Sequence, residues 1–189
     1  MSTKLLLIAG SARNGALSVK LRDAARAVAD AAGAETSVFD LRALALPLYD
    51  GDIEASQGVP AGAQTLRDAI AQHDALVIVT PEYNGFPTPL VINAFDWLSR
   101  SKDGIAATTD KPVALLASSP GALGGLRAMN YLRQYLQMGF QMLVVPQQQA
   151  VSKAHEAFAA DGTLADAKAA AMLANVVNAV LKLAAQRRS

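Results

Sequence analysis

Cysteine is absent from the 189 residues and histidine occurs only twice. Both shortages limit the kinds of bond, nucleophile and metal site that the chain can form. Without cysteine there can be no disulfide bond and no thiolate nucleophile, which is typical of a cytoplasmic protein, and we expect that location. With so few histidines and no clustering of His with Asp and Glu, we expect no metal site. A hydrolase nucleophile is also not expected, because no G-x-S-x-G elbow is present.

Long apolar runs and an excess of one charge are missing as well. The apolar stretches, such as "ALVIV" at 75–79, are far shorter than the roughly 20 residues of a membrane span. The N-terminal residues lack the pattern of a secretory signal. The 17 basic and 16 acidic residues are spread along the chain, so no basic face is available for nucleic acid. We expect neither a membrane nor a nucleic-acid partner.

What the sequence does contain is a regular alternation of strand-length apolar runs and helical patterns. The runs read "KLLLIA", "TSVFD", "ALVIV", "PVALLA" and "FQMLVV". They are mostly continuous rather than alternating, which indicates strands buried on both faces of a parallel sheet. Right-handed crossovers then predict an α/β, doubly wound sheet with helices on both faces. The length suits a single domain over residues 1–189.

Several helix ends can be predicted from capping patterns. Gly33 follows the first helical pattern as a C-terminal cap. A helix is predicted over residues 122–138, ending before Gly139. Thr163 with Asp166 resembles a capping box at the start of the last helix.

Three polar loops follow the first, third and fourth predicted strands. They read "GSARNGALS" (10–18), "PEYNG" (81–85) and "SSPGALGG" (118–125). In a doubly wound sheet the ligand lies outside the carboxyl ends of the strands. We therefore expect these three loops to meet around one ligand.

The first loop combines an arginine and hydroxyls with the start of a helix, through Ser11, Arg13, Asn14 and Ser18. Free N–H groups and the dipole at a helix N-terminus favour an anion, so the loop predicts a phosphate site. A tight turn with a capped helix is the alternative.

Two other phosphate motifs fit less well. Gly10 and Gly15 match half of a P-loop, but Ala-Leu follows where Lys and Ser/Thr are required. Ala12 interrupts the dinucleotide fingerprint G-x-G-x-x-G, although Asp40 ends the second strand where a ribose-binding acid could lie. A nicotinamide-dinucleotide dehydrogenase therefore stays as a less favoured alternative.

The third loop, within "TPEYNGFPTP" (80–89), has the composition of a rigid platform. Asn84-Gly85 is usually a hairpin signal, but a helical pattern follows it, so we predict no hairpin. Tyr83 and Phe86 can bound a flat ring, the amides around Asn84 and Gly85 can donate to it, and Pro81 limits motion. A turn packed for structural reasons is the alternative.

The remaining candidates are an acid and the fourth loop. Glu82 is either a solvated charge or an acceptor for backbone amides across an interface. Ser118, Ser119 and Gly121 can approach a ligand edge, although a flexible turn would have the same composition. Together the three loops predict a pocket for a flat heteroaromatic ring that carries a monophosphate, and FMN fits that description.

At "TPEYNGFPTPLVINAFDWLSR" (80–100) the sequence resembles the NADPH-dependent FMN reductases, flavodoxin-like proteins that include bacterial quinone, chromate and azo-dye reductases. "LPLYDGD" (46–52) and "SSPGALGGLRA" (118–128) support the resemblance, which extends over residues 4–145. It implies a three-layer flavodoxin-like fold with a five-stranded parallel sheet in the order 2-1-3-4-5, bound FMN, and a homodimer or homotetramer.

The resemblance also implies roles for residues. Ser11, Arg13 and Ser18 fall on the phosphate loop, residues 81–84 on the loop that cradles the flavin, and Ser118 with its neighbours at the ring edge. The family motif G-S-x-R-x-x-S-x-N has Ser and Asn where this chain has Ala16 and Ser18. One hydroxyl contact to the phosphate is therefore expected to be missing.

By this resemblance we expect an FMN-dependent NAD(P)H oxidoreductase that reduces quinones, free flavin or similar small acceptors by ping-pong hydride transfer. NADPH or NADH would be the co-substrate. Hydride transfer to the flavin requires no side-chain acid or base, so we predict no catalytic side chain. The alternative is a flavodoxin-like electron carrier or a redox-sensing FMN-binding module.

Overall fold

The predicted apolar runs form the long strands of the sheet. A computed structural model describes the backbone of residues 2–188 and the side chains of residues 2–187. The strands are β1 Lys4–Ala9, β2 Glu35–Phe39, β3 Ala75–Tyr83, β4 Phe86–Pro87, β5 Pro112–Ser118 and β6 Leu143–Val151. The helices are α1 Leu17–Ala31, α2 Gly51–Gln57, α3 Ala61–Ala71, α4 Pro89–Arg100, α5 Gly104–Thr108, α6 Leu126–Phe140 and α7 Ala167–Arg188, with a 3₁₀ turn over Leu41–Leu44.

The order of the long strands confirms the prediction. They lie in the order β2-β1-β3-β5-β6 and all pair in parallel, which is 2-1-3-4-5 when the short β4 is left out. The order reverses between β1 and β3. The carboxyl ends of these two strands and of β5 therefore open onto one edge, where a doubly wound sheet binds its ligand.

The predicted absence of a hairpin after β3 was wrong. β4 pairs antiparallel with the end of β3, with Tyr83 opposite Phe86. Asn84 and Gly85 join them with φ angles of 53° and 83°. Positive φ at both central residues is what a type I′ turn requires, and Asn-Gly is its preferred pair. Two residue pairs complete the hairpin, so α4 can begin almost at once.

Alternate residues of each central strand enter two separate cores. On β1, Leu5 and Leu7 pack against α1 and α7 on one face. Leu6 and Ile8 pack against α3, α4 and α6 on the other. Because side chains alternate across a strand, a strand covered by helices on both faces must be apolar throughout. This explains the continuous runs and produces three layers.

Helix α6 and strand β6 begin later than predicted. Residues 122–125 form a turn in which Gly124 and Gly125 have φ angles of 61° and 92°, so the helix starts at Leu126. It passes through Gly139 and ends at Phe140. The last strand was expected over 140–145, but β6 spans Leu143–Val151. The helix includes Phe140, which was assigned to the strand, and the strand begins only at Leu143.

The capping predictions had mixed outcomes. Gly33 follows α1 with a φ of 82°, as a C-terminal cap requires. At α7 the cap is Asp166, whose Oδ1 accepts a hydrogen bond from the Ala169 amide at 2.7 Å. Thr163 does not take part in this cap, because its hydroxyl donates to Asp161. The capping box was therefore predicted with the wrong first residue.

Helix α7 is long and apolar enough, by length and composition, to cross a membrane. However, Leu173, Val177 and Val180 are buried in the core beside α1 and the sheet. A core helix of a globular protein has this composition too, so the helix alone is weak evidence for a membrane span.

Gly10 fixes the first loop to its neighbours. Its amide donates to Val79 O at 2.8 Å and its carbonyl accepts from Thr88 Oγ1 at 2.6 Å. A Cβ on Gly10 would lie 2.4 Å from Val91 Cγ2, which is closer than atoms can approach. The first loop therefore packs against β3 and α4 only if this residue has no side chain.

We expect Gly10→Ala to lower the free energy of unfolding by about 1 to 3 kcal/mol, since the added methyl group overpacks a rigid contact. Denaturant unfolding measures this. Gly139→Ala is the control, because a Cβ there meets nothing within 4 Å and alanine favours a helix. A Gly10→Ala protein as stable as the parent would contradict the contact.

Candidate active site at the carboxyl edge of the sheet

A cavity of about 170 Å³ lies where the three predicted loops meet. Its lining residues are Ser11, Arg13, Ala16, Leu17, Ser18, Pro81, Glu82, Tyr83, Ser118, Ser119 and Pro120. The structure thus brings together eight of the twelve predicted site residues, and they come from the ends of β1, β3 and β5.

Two serine hydroxyls in this cavity have no partner. The side chains of Ser18 and Ser118 are buried, with whole-residue exposures of 1% and 2%. Among the residues that the structure describes, neither Oγ atom has a hydrogen-bond partner. An unpaired buried hydroxyl is costly, so such a group calls for a partner, and a bound ligand can supply one. Their position fits a polar ligand that enters from the open side of the cavity.

The start of α1 is suited to an anion. Ala16 occupies the N-cap position and provides no side-chain hydrogen bond, so the alternative of an ordinary capped helix is not supported. The Arg13 side chain lines the cavity and makes no ion pair with any described residue, while its amide donates to Ser11 Oγ at 3.2 Å. A phosphate would meet a free guanidinium, two hydroxyls and a helix N-terminus.

Glu82 attaches the hairpin to α6. Its carboxylate accepts hydrogen bonds from Arg127 Nε at 3.1 Å, from Arg127 Nη2, and from the Ala128 amide at 3.3 Å. The side chain is only 8% exposed. It is therefore not a solvated charge. Glu82 accepts a hydrogen bond from a backbone amide, which was the second alternative, but this amide belongs to the same chain and not to a partner across an interface.

Burial raises the pKa of Glu82, but the bonds from Arg127 and Ala128 outweigh burial and hold this pKa below its ordinary value of 4.5. A lowered carboxyl pKa contributes stability above the ordinary pKa, and this contribution is lost as pH falls through the folded-state pKa. The attachment of the hairpin to α6 should therefore weaken in acid.

We expect Glu82→Gln to unfold more easily than the parent at neutral pH, and the difference to shrink as the pH falls well below 4.5. Denaturant unfolding at a series of pH values measures this. Glu35→Gln, on the exposed start of β2, removes a carboxylate elsewhere. A difference that stayed constant with pH would show that the Glu82 charge contributes nothing.

The aromatic residues of the hairpin have different surroundings. Tyr83 lines the cavity and is 47% exposed, so about half of the residue is accessible to solvent. Phe86 is 50% exposed but packs on Tyr131 of α6, with ring centroids 4.9 Å apart. Asn84 and Gly85 form the turn and do not line the cavity.

The other predicted residues lie nearby. Asn14 lines an adjoining cavity rather than this one. Ser119 Oγ accepts a hydrogen bond from the Gly121 amide at 3.2 Å, so Gly121 shapes the loop without lining the cavity. Sequence reasoning missed Pro120 as a wall and Arg127 as the partner of Glu82. Arg127 gave no local signal, because it is 45 residues from its partner.

Neither histidine reaches the cavity. His73 Nδ1 lies 2.7 Å from Ala69 O at the opposite end of the sheet, and His155 lies beside Glu156. Among the described residues no group of His, Cys, Asp and Glu could hold a metal ion.

The chain is similar in sequence to known proteins. The model of the family described as NADPH-dependent FMN reductase matches residues 3–156. A quinone reductase of Escherichia coli is 41% identical over 139 residues, which is 72% of this chain and 71% of the relative. An NAD(P)H-dependent FMN reductase of Pseudomonas aeruginosa is 35% identical over 94% of this chain and 92% of the relative.

A solved structure is similar over nearly the whole chain. It is FerB, a flavoenzyme NAD(P)H:(acceptor) oxidoreductase from Paracoccus denitrificans. The TM-score is 0.83 at 28% identity, and the match covers 97% of this chain and 98% of that structure.

Proposed function

Because the chain belongs to the NADPH-dependent FMN reductase family, we propose that it is an FMN-dependent NAD(P)H oxidoreductase that reduces quinones, free flavin or similar small acceptors by ping-pong hydride transfer. The observation that carries this proposal is the pair of buried, unpartnered hydroxyls of Ser18 and Ser118 in one cavity. The cavity lies at the reversal point of a doubly wound sheet, where a flavin monophosphate would find donors for its phosphate and for its ring edge.

Each loop has a proposed role toward FMN. Ser11, Arg13 and Ser18 hold the phosphate, together with the free amides at the start of α1. The hairpin backbone over residues 81–85 cradles the ring. Ser118 and the loop that follows it meet the ring edge. When bound, FMN supplies the redox chemistry, since its ring system accepts hydride and passes it on.

The chain itself would provide orientation and electrostatics rather than an acid or a base. Backbone N–H groups of residues 118–125, other than the paired amides of Ser119, Gly121 and Gly124, would stabilise negative charge that grows at the ring edge during reduction. Donors fixed in place serve this purpose better than mobile ones, because they need no reorganisation during the reaction. Glu82 would act through position, because its bonds to Arg127 and Ala128 hold the hairpin against α6.

The exposed aromatic side chains are suited to binding a planar substrate. Tyr83 lines the cavity and is partly exposed, and aromatic side chains stack on flat rings such as a nicotinamide or a quinone. The two substrates would use the same open side in turn, which is the physical basis of a ping-pong order.

Turnover is the experiment that tests this function. The protein loaded with FMN should oxidise NADPH or NADH when benzoquinone or free FMN is added, with parallel lines in double-reciprocal plots. A flavodoxin-like carrier would bind FMN but show no steady-state turnover with any of these acceptors, and that result would overturn the enzymatic proposal.

We further propose that the single domain works as a homodimer or homotetramer in the cytoplasm, with residues 46–52 and Arg100 at a subunit interface. Arg100 Nε lies 2.9 Å from Glu54 Oε2, and Tyr49 OH donates to the same carboxylate at 3.0 Å. These bonds hold α2 on α4 and leave Leu48 exposed. An exposed leucine on a segment that is held in place favours contact with a second subunit, because the contact would remove its apolar surface from water.

Sedimentation velocity should therefore give a dimer or a tetramer, and Leu48→Asp should shift it toward monomer, because a carboxylate is costly in an apolar contact. Met138→Asp, at another exposed apolar residue, is the control. A monomeric parent with full activity would overturn the interface.

A further inference from the structure

A second cavity adjoins the proposed FMN cavity on the side of β2. It has a volume of about 230 Å³. Its lining residues are Ala9, Ser11, Ala12, Arg13, Asn14, Gly15, Val19, Arg22, Phe39, Asp40 and Arg42. Ser11 and Arg13 line both cavities. A ligand with a phosphate at these two residues could therefore extend from one cavity into the other.

The charge of this second cavity favours a phosphate. Three arginines line it against one aspartate. The Asp40 carboxylate accepts a hydrogen bond from the Arg42 amide at 2.9 Å, which fixes its position. Arg42 Nη1 donates to Ala12 O at 2.9 Å, and its other guanidinium nitrogens make no bond to the described residues. Arg42 is thus held over the first loop, and its remaining N–H groups can donate to a ligand.

Arg13 adds to this positive charge, whereas the charge of Arg22 is offset by Asp23, so that Arg22 adds guanidinium donors rather than net charge. The Arg22 side chain is mostly buried and is oriented by Asp23, whose Oδ1 accepts from its Nε at 2.9 Å. The Arg13 side chain makes no ion pair with any described residue. Arginines that are positioned in advance bind phosphate with a smaller loss of side-chain freedom.

The place of the cavity in the sheet indicates a nucleoside. In dinucleotide-binding doubly wound folds, an acid at the end of the second strand bonds the ribose 2′-hydroxyl of NAD, or a nearby arginine instead accommodates the 2′-phosphate of NADP. Asp40 and Arg42 stand in these positions directly after β2. Phe39 offers an aromatic surface. The volume is below the roughly 300 to 1,000 Å³ of sites for whole drug-sized ligands, so it suits one nucleoside phosphate.

We propose that this cavity is a subsite for an adenosine phosphate. Two dinucleotides carry that group. FAD would continue from the flavin phosphate at Ser11 and Arg13, and NADPH would bring the 2′-phosphate of its adenosine. The FAD form rests on the proposed function, because it requires a flavin in the first cavity.

The test compares Arg22→Ala and Arg42→Ala with Arg26→Ala. Arg26 lies one turn further along α1, bonds Thr36, and lines neither cavity. Arg26→Ala therefore removes the same charge as the two cavity variants without changing either cavity. Calorimetry gives the Kd of the flavin-free protein for FAD and for FMN. Steady-state kinetics of the FMN-loaded enzyme gives KM for NADPH and for NADH.

If FAD is the source, both cavity variants should raise the ratio of Kd for FAD to Kd for FMN by at least about tenfold, the effect of losing a charge-assisted bond. If NADPH is the source, the ratio of KM for NADPH to KM for NADH should rise by a similar factor. Neither ratio should change in Arg26→Ala. Two ratios that stay at the control value in both cavity variants would overturn the subsite.

Failure of the parent to bind FMN would instead overturn the proposed function. The cavity would then be judged by direct titration with 2′,5′-ADP. The parent should bind this probe at least about tenfold more tightly than Arg22→Ala does. Equal affinity in the two proteins would overturn the subsite independently of FMN.

Discussion

The double variant Ser18→Ala, Ser118→Ala is expected to be more stable than the parent when FMN is absent, and to bind FMN more weakly. Both hydroxyls are buried without a partner in the described part of the chain. Each such group costs about 1 to 3 kcal/mol of folding free energy, which alanine removes. Each would contribute about 0.5 to 3 kcal/mol to FMN binding, with the upper end for a bond to the phosphate. The two effects therefore have opposite signs.

Thermal unfolding of the flavin-free protein and calorimetric titration with FMN measure the two effects. Ser101→Ala is the matched control, because Ser101 is also buried but its hydroxyl donates to Leu98 O at 2.7 Å. This control should lower stability slightly and leave FMN affinity unchanged. A double variant that is less stable than the parent and binds FMN equally well would show that these hydroxyls do not serve the ligand.

The variant Arg13→Ala is expected to weaken FMN binding by about 1.5 to 3 kcal/mol, the range for a hydrogen bond to a charged group. Arg13 makes no ion pair with described residues, so its guanidinium is available to a phosphate. The first loop has Ala16 where the family motif has a serine, so we expect Arg13 to provide a larger share of the proposed phosphate contacts.

The readout for Arg13 is the comparison of FMN with riboflavin, which lacks the phosphate. Arg13→Ala should lose affinity for FMN and keep its affinity for riboflavin. Arg26→Ala, on an exposed part of α1, should change neither affinity. Unchanged FMN affinity in Arg13→Ala would remove this residue from the phosphate site.

The sheet could be predicted from the sequence because its physical cause is local. A strand covered on both faces must be apolar at every residue, so an apolar run such as residues 75–79 can be recognised as a buried strand from the sequence. The crossover rule then limits the topology to a few arrangements. The resemblance to flavodoxin-like proteins selected among them.

Element boundaries were predicted less well, because they depend on competition between neighbouring signals. The Asn84-Gly85 pair formed its hairpin although a helix follows, since the ladder needs only two residue pairs. In α6, Gly139 did not end the helix, and Gln141 after it has a φ of 54°. A residue other than glycine can adopt this left-handed conformation where tertiary packing determines the end of the helix.

The meeting of the three loops could be predicted, since the carboxyl ends of parallel strands share an edge. The partners of individual side chains could not. Glu82 finds Arg127 and the Ala128 amide across the fold, and no local pattern predicts that pairing. The unpartnered state of Ser18 and Ser118 is likewise a property of packing alone.

Calorimetric titration of the flavin-free protein with FMN, followed by dialysis, shows whether the chain binds this cofactor. We expect measurable heat on binding and a protein that stays yellow, with the visible absorbance of flavin, after dialysis. A refolded, FMN-supplemented protein that gives no heat and becomes colourless on dialysis would contradict this expectation.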